Sequence, residues 1–352
     1  LLMTEFSPTP SALVPVPSSG GQGLVELRAL WVSSCNAFDE RASARILSEA
    51  FALYAVEDVC LQLIFDGLRQ VGDGWYEGQI TVEQEHFASE IARRQLEALI
   101  SAAPSPTRSE KILVGAAPGE QHDLALLMIT LLLRRRGWDV VYLGANVPLE
   151  SYETLLDPAR FDLALLSAQQ LFTAGSLREV ALLAQRVGLP LAYGGRIFRK
   201  IPELKGQIPG AYLGERLEAI PGIVAQVLAS SFPQPARSTE DDRYQDALKD
   251  FQEHGPTIEL AVRQSLSGQM PPGSLEIANF NFTRDIQAAL FLGDLTYAGQ
   301  ELDWIDGLLR NRGLPSEILA SYLNAYFQAA DDLLGDNGRP VVDWLQQVKA
   351  TA

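Results

Sequence analysis

The stretch Lys111-Ile-Leu-Val-Gly-Ala-Ala-Pro-Gly-Glu-Gln-His-Asp123 decides the fold. An apolar run, Lys111–Ala117, breaks into a loop and then leads into a helical pattern, His122–Arg136. A short apolar strand followed by a helix is the unit from which parallel sheets are built. The unit recurs downstream. Strands are expected at Asp139–Gly144, Asp162–Ala168, Pro190–Gly195 and Gly210–Gly214, with helices at Pro148–Leu156, Gly175–Val187 and Glu215–Ala229. Residues 107–231 are therefore expected to form a doubly wound, flavodoxin-like parallel sheet. Ligands on such sheets bind beyond the carboxyl ends of the strands, which is where the loop carrying Glu120-Gln121-His122-Asp123 falls.

Outward from this unit the period becomes helical on both sides. Residues 1–22, rich in Pro, Ser and Gly, read as a disordered tail. Residues 23–106 predict four helices: Leu24–Phe38, one capped by Asp39 and running to Tyr54, Val56–Val71 ended by Gly72-Asp73-Gly74, and Thr81–Ile100. That is enough for a small bundle, joined to the sheet by the linker Pro104–Ser109. A second linker, Phe232–Ser238, precedes an all-helical segment, residues 237–352, punctuated at Gly255-Pro256-Thr257, Met270–Gly273 and Asp336–Pro340. The chain is thus multi-domain, α and α/β.

Composition narrows the function classes. The 352 residues are 47% hydrophobic and carry 28 Lys+Arg against 44 Asp+Glu, a net charge of −16. Such a chain repels phosphate, so direct nucleic-acid binding through bulk charge is not expected. No apolar run reaches the roughly 18 residues of a membrane span; Leu124–Leu133 is bounded by Asp123 and Arg134–Arg136 and reads as a core helix. Cys35 and Cys60 make no disulfide framework, and no paired-cysteine motif offers a zinc site. A basic, then apolar, leader pattern is missing at the start, so the expected location is cytoplasmic.

His122 stands where the first strand hands over to its helix. Imidazole is the commonest side-chain ligand for a transition metal, and a carboxylate behind it can fix the tautomer. Glu120 and Asp123 are both placed to accept the other ring N–H. Alone, the trio could equally serve a helix N-terminus. Ser167 at the end of the third strand and Gly194-Gly195 at the end of the fourth add a polar group and a close approach to backbone. Together, Glu120-x-His122-Asp123, Ser167 and Gly194-Gly195 resemble the cobalamin-binding domain family over about Lys111–Ala229. The resemblance implies a corrinoid whose own lower base leaves cobalt, His122 as lower axial ligand, and Ser167 with the glycine pair lining the channel for the nucleotide tail. Gln121 and Gln169 fall in the same lining. The pattern departs from the family at Ala125, usually Gly, and at Gln169, where Leu is common.

The preceding bundle extends the resemblance. Trp75, then nine intervening residues, then Glu85-His86, is similar to the signature of the CarH-like adenosylcobalamin photoreceptors. By that resemblance Trp75 covers the upper face, Glu85 contacts the adenosyl group, and His86 takes the upper cobalt position after light removes that group. Without the neighbouring cobalamin signature, Trp75 would read as core and Glu85-His86 as a solvated helix face. Tyr76 is a departure where related sensors carry histidine. Those regulators begin with a DNA-binding helix-turn-helix, a pattern not found ahead of the bundle, so output is expected through the C-terminal helices or an unidentified signalling partner.

The C-terminal helices bear a diffuse resemblance to photocobilins, in which a bilin sits near the cobalamin. If biliverdin binds, Arg284, Arg310 and Arg312 are candidates for its propionates and Trp304 for its rings; His254 reads as an exposed helix end. A helical dimerisation or partner-docking module is the equal alternative. The function implied is a light sensor rather than an enzyme. The alternative is a corrinoid protein that carries methyl groups between methyltransferases. A mutase subunit would need a barrel that the chain lacks.

Overall fold

The computed structural model describes residues 20–229, 242–269, 272–300, 302–311, 313, 315 and 317–350. The N-terminal helices are α1 (Gly20–Asn36), α2 (Glu40–Leu53), α3 (Val56–Asp58), α4 (Asp66–Tyr76) and α5 (Val82–Ser101), with a π-helical stretch, Val59–Phe65, joining α3 to α4. The middle of the chain alternates β1 (Lys111–Ala116), α6 (Leu124–Arg135), β2 (Asp139–Tyr142), α7 (Leu149–Leu155), β3 (Leu163–Ser167), α8 (Leu171–Val187), β4 (Leu191–Gly194), α9 (Ile197–Lys200), β5 (Ala211–Tyr212) and α10 (Ile220–Ala229). The C-terminal helices are α11 (Asp242–Ser265), α12 (Pro272–Leu292), α13 (Thr296–Gly299), α14 (Leu302–Asn311), α15 (Glu317–Leu333) and α16 (Arg339–Lys349).

All five strands are parallel, in the order β2-β1-β3-β4-β5. The order reverses direction between β1 and β3, so the crevice for a ligand opens above the ends of those two strands. Register places Ala116 beside Ser167 and Ser167 beside Gly194. The three strand ends the sequence singled out are therefore neighbours.

The sheet is covered on both faces, as parallel sheets require. On one face lies α6. Its Leu126, Ile129 and Leu133 join the sheet core, while Leu127, Met128, Leu131 and Leu132 join the core of the N-terminal bundle. A helix that is apolar all round is one buried all round. On the other face, α8 shares one core with α11, α12, α15 and α16. The N-terminal bundle buries the stripe Leu24, Leu27, Trp31 and Cys35 of α1 against Leu63, Ile64, Ile91 and Leu96, among others.

Several boundaries differ from expectation. Helix α1 starts at Gly20, inside the segment expected as a tail; residues 1–19 lie outside the described ones, as does the expected linker Phe232–Ser238. Gly72-Asp73-Gly74 does not end a helix. A Cβ at Gly74 would stand 2.8 Å from Ile80 Cδ1, so that glycine serves close packing, and α4 runs on to Tyr76. Likewise α11 passes through Gly255-Pro256, held by its packing on α12 and α15, and His254 lies mid-helix, its Nδ1 donating to Asp250 O at 2.9 Å. Helix α6 starts at Leu124, which leaves His122 in the loop. Helix α8 starts at Leu171, where Gln170 and Thr173 cap it reciprocally.

Candidate functional site

The loop after β1 turns at Gly119 (φ 80°) and drops Glu120 into the protein at 0% exposure. Each of its carboxylate oxygens accepts two bonds. Oε1 takes the backbone N–H of His122 (2.9 Å) and His122 Nδ1 (2.6 Å); Oε2 takes the backbone N–H of Gln169 (2.7 Å) and the Thr173 hydroxyl (2.8 Å). Burial alone would raise the Glu120 carboxyl, but these bonds outweigh it and hold it below its ordinary value. An ionised acceptor at Nδ1 makes that nitrogen the N–H donor. The lone pair is thereby left on Nε2, on a side chain 64% exposed. The same bond raises the His122 pKa. This is the arrangement of a metal-binding histidine with a carboxylate behind it.

Of the two carboxylates open in the sequence, Glu120 is the one that orients His122. Asp123 turns the other way. It is gripped by both terminal guanidinium nitrogens of Arg93, from α5, with Nη1 at 3.0 Å from Oδ2, and it accepts the Tyr142 hydroxyl at 2.7 Å. Burial would raise this carboxyl too; Arg93 and Tyr142 hold it low. Glu85, Ser89 and Arg93 follow at four-residue spacing on one face of α5. Glu85 accepts the Ser89 hydroxyl (2.7 Å) and pairs with His86 Nδ1 (2.9 Å). Its charge acts on His122, as does that of Arg196 just beyond β4. The N-terminal bundle thus faces the His122 loop.

Ser167 Oγ is buried and has no hydrogen-bond partner among the described residues. A buried hydroxyl left so costs about 1–3 kcal/mol, and it belongs to the last residue of β3, at the edge of the sheet where ligands bind. Beside it, a Cβ on Gly194 would meet only Leu213 Cβ, at 3.8 Å. The missing side chain leaves room that the protein itself does not fill. Gly195 differs: at φ 131° its Cβ would overlap the Ala168 carbonyl, so backbone packing alone demands glycine. An orphaned donor, an open cradle and an imidazole lone pair together fit a corrinoid.

Trp75, in the last turn of α4, is half-buried and lies 6.4 Å from Trp304 of α14. Gln121 and His86 are exposed. Of the residues offered for a bilin, Arg284, Trp304 and Arg310 fall among the described ones. Arg284 of α12 stacks over Phe172 (4.0 Å) and Phe280 (4.8 Å) beside Gly119. Arg310 pairs with Asp306 one turn back on α14. Arg312 lies outside the described residues. Sequence reading missed Thr173, Arg93, Tyr142 and Arg196. Of these only Arg93, in step with Glu85 on its helix, left a signal.

Two family models, both described as B12 binding domain, match residues 31–100 and 110–224. These two regions are B12 binding domains. The chain is 30% identical over 179 residues to the HTH-type transcriptional repressor CarH of Myxococcus xanthus, covering 49% of this chain and 58% of that protein. It is 28% identical to the repressor CarA of the same organism, over 40% of this chain and 47% of that one. The chain thus spans about half the length of these curated relatives. Dimethylamine corrinoid protein 1 of Methanosarcina acetivorans is 25% identical over 35% of this chain and 59% of its own. Among solved structures, the monomethylamine corrinoid protein of Methanosarcina barkeri superposes with a TM-score of 0.50 at 17% identity, over 58% of this chain and 99% of that one. That likeness shows the fold: a parallel-sheet cobalamin-binding domain flanked by helices. No helix among the described residues is long and apolar enough to cross a membrane.

Proposed function

We propose that this protein is a light sensor that holds adenosylcobalamin between its N-terminal bundle and its sheet. The observation that carries the reading is the pairing of two features across one crevice. On the sheet side, Glu120 fixes His122 so that Nε2 is presented as a ligand. On the bundle side stand Trp75, a stiff flat wall, and Glu85, a hydrogen-bond acceptor whose charge acts on His122. In such a complex, His122 Nε2 would hold the cobalt from below, and Ser167 and Gly194 would take the nucleotide tail. When bound, adenosylcobalamin supplies a metal–carbon bond that visible light breaks. Trp75 would pack that upper group and Glu85 would bond it, and its loss would leave the bundle free to settle differently. His86, next along α5, would approach the upper face once that group has left. Similarity to the two Myxococcus repressors supports the sensor reading.

A methyl carrier is the second reading, favoured by the similarity to dimethylamine corrinoid protein 1. A carrier must open its upper face to partner enzymes; Trp75 backed by Trp304 over that face would weigh against it. Biliverdin on the C-terminal helices has less support, because Arg310 is already paired with Asp306.

The test is spectroscopic. Protein loaded with adenosylcobalamin in the dark should bleach under green light to a histidine-coordinated spectrum, and His122→Ala should abolish that end state. A complex stable to light that accepts methyl groups from a methyltransferase would transfer the assignment to the carrier. Biliverdin that fails to co-elute on gel filtration would remove the bilin.

A further inference from the structure

Tyr76 follows Trp75 in the last turn of α4 and has no part in the site described so far. Its ring stacks on Trp304, with centroids 5.6 Å apart and planes within 24°. Its hydroxyl lies over Gly307, where any Cβ would overlap it. Its backbone carbonyl accepts Asn311 Nδ2 at 3.0 Å. Two residues on, Gly78 (φ 75°) passes the Asn311 carbonyl so closely that a Cβ would stand 2.8 Å away. Trp304, Gly307 and Asn311 are spaced three and four apart, so they share one face of α14. This is a fitted joint: a tyrosine seated in a glycine notch, with an indole on one side and an amide on the other.

The joint stands at the mouth of the crevice. Trp304 also meets Trp75 and lies under the Arg196 guanidinium, 6.0 Å from its ring centre. Beyond the directly bonded Glu120, Arg196 and Glu85 are charges that act on His122. A residue of the C-terminal helices therefore backs the ring assigned to the upper face.

Resting on the reading that Trp75 covers the upper cobalt ligand, we infer that Trp304 is a specificity-determining residue of that pocket. The docking of α14 on Tyr76 is then the element that reports which upper ligand is bound. Trp75 and Tyr76 both pack against the Trp304 ring, at 6.4 and 5.6 Å between centroids, so a shift of either is felt at that ring. Trp304 supports Trp75 from behind; a nucleoside-sized group would support it from in front. Each contact gains from the other, because each needs Trp75 in the same place. Linkage makes this reciprocal: if docked α14 favours the adenosyl form, the adenosyl form favours docked α14 by the same factor. Loss of the adenosyl group would weaken the joint, and the C-terminal helices would change state without touching the cofactor's metal.

The experiment uses the full chain, with binding of adenosylcobalamin in the dark and of hydroxocobalamin measured separately. Trp304→Ala should weaken adenosylcobalamin about three- to tenfold, the range of an aromatic pair, and hydroxocobalamin clearly less. Amides of residues 302–311 should exchange hydrogen faster in the hydroxocobalamin complex than in the adenosylcobalamin complex. Because Trp304→Ala can loosen α14 by itself, Gly307→Ala provides a second probe. It fills the notch while favouring the helix, and it should reproduce the loss of preference. Adding Tyr76→Phe, which removes the obstructing hydroxyl, should restore it. If Trp75→Ala changes the preference between the two cobalamins while Trp304→Ala and Gly307→Ala do not, the inference is wrong and the upper-face reading stands. If Trp75→Ala also leaves the preference unchanged, both fall together.

Discussion

Glu120→Gln changes one atom type in a fully enclosed side chain, so its consequences can be worked out from the four bonds. Both carboxylate oxygens now face only donors or donor-capable groups: two backbone N–H groups, the His122 ring and the Thr173 hydroxyl. An amide has one oxygen and one NH2. With its oxygen toward His122, the NH2 opposes the Gln169 N–H, a donor against a donor. Turned round, it opposes the His122 N–H and forces His122 Nδ1 to become the acceptor, which moves the ring proton to Nε2. The first orientation leaves a buried donor unsatisfied at a cost of about 1–3 kcal/mol. The second removes the lone pair that would bind cobalt. Partners of this kind behind a metal ligand are worth roughly 10–100-fold in affinity. Cobalamin titration followed by absorbance, with a thermal melt of the unloaded protein, measures both. The expected result is a weakened complex without the histidine-coordinated spectrum and a lowered melting temperature. Wild-type affinity, spectrum and stability in the Gln variant would refute the claim that Glu120 sets the His122 tautomer.

Arg93→Met should leave Asp123 with Tyr142 alone. Because Arg93 is partly exposed, the loss should fall below that of a deeply buried pair, at about 1–3 kcal/mol, read as faster hydrogen exchange along α5. The Asp123 carboxyl is held low, so its contribution is complete above the ordinary carboxylate pKa of about 4 and is lost as pH falls toward the lowered folded value. Proteolysis of the bundle against pH should show that acid step in wild type and a flatter profile in Arg93→Met. Gly194→Ala should melt as wild type does yet bind cobalamin more weakly, whereas Gly195→Ala should be strongly destabilised; equal behaviour of the two in melts and titrations would contradict their different surroundings. Ser167→Ala should raise or leave unchanged the stability of the unloaded protein, since it removes an unpaired buried hydroxyl, while weakening cobalamin by about one hydrogen bond, roughly 1 kcal/mol.

The sheet was legible because its strands are buried on both sides and read as short apolar runs, and because Glu120-x-His122 interrupts the pattern at a strand end. Ser167 and Gly194 were legible for the same reason: parallel register brings strand ends to one edge. What the sequence did not disclose depends on contacts between distant segments. Thr173 looks like any residue in a first helical turn until Glu120 is found beneath it. Arg93 reads as one charge on a solvated face until Asp123 arrives from the next domain. Gly74 looks like a helix terminator, but its missing Cβ accommodates Ile80 and lets α4 carry Trp75 and Tyr76 out to the crevice. Trp304 offered only an aromatic ring near two arginines. Its partner proved to be a tyrosine of the N-terminal bundle, a pairing that no local periodicity encodes.

The five residues Gly119–Asp123 gather these contacts into one mechanical element. Gly119 lies against Arg284 of the C-terminal helices, so close that a Cβ would sit 2.6 Å from the guanidinium. Glu120 is tied to the sheet through Gln169 and Thr173. Asp123 is tied to the N-terminal bundle through Arg93. His122 stands between the last two, bound to one and adjacent in chain to the other. A loop tied to two bodies and in close contact with a third cannot follow one without straining its ties or meeting the others. Motion of the bundle is therefore felt at the histidine through Asp123, and motion of the C-terminal helices through Gly119. The two carboxylates flanking His122 do different work for that reason. Glu120 holds the ring's proton in place, and Asp123 fixes the distance between the ring and the bundle that faces it.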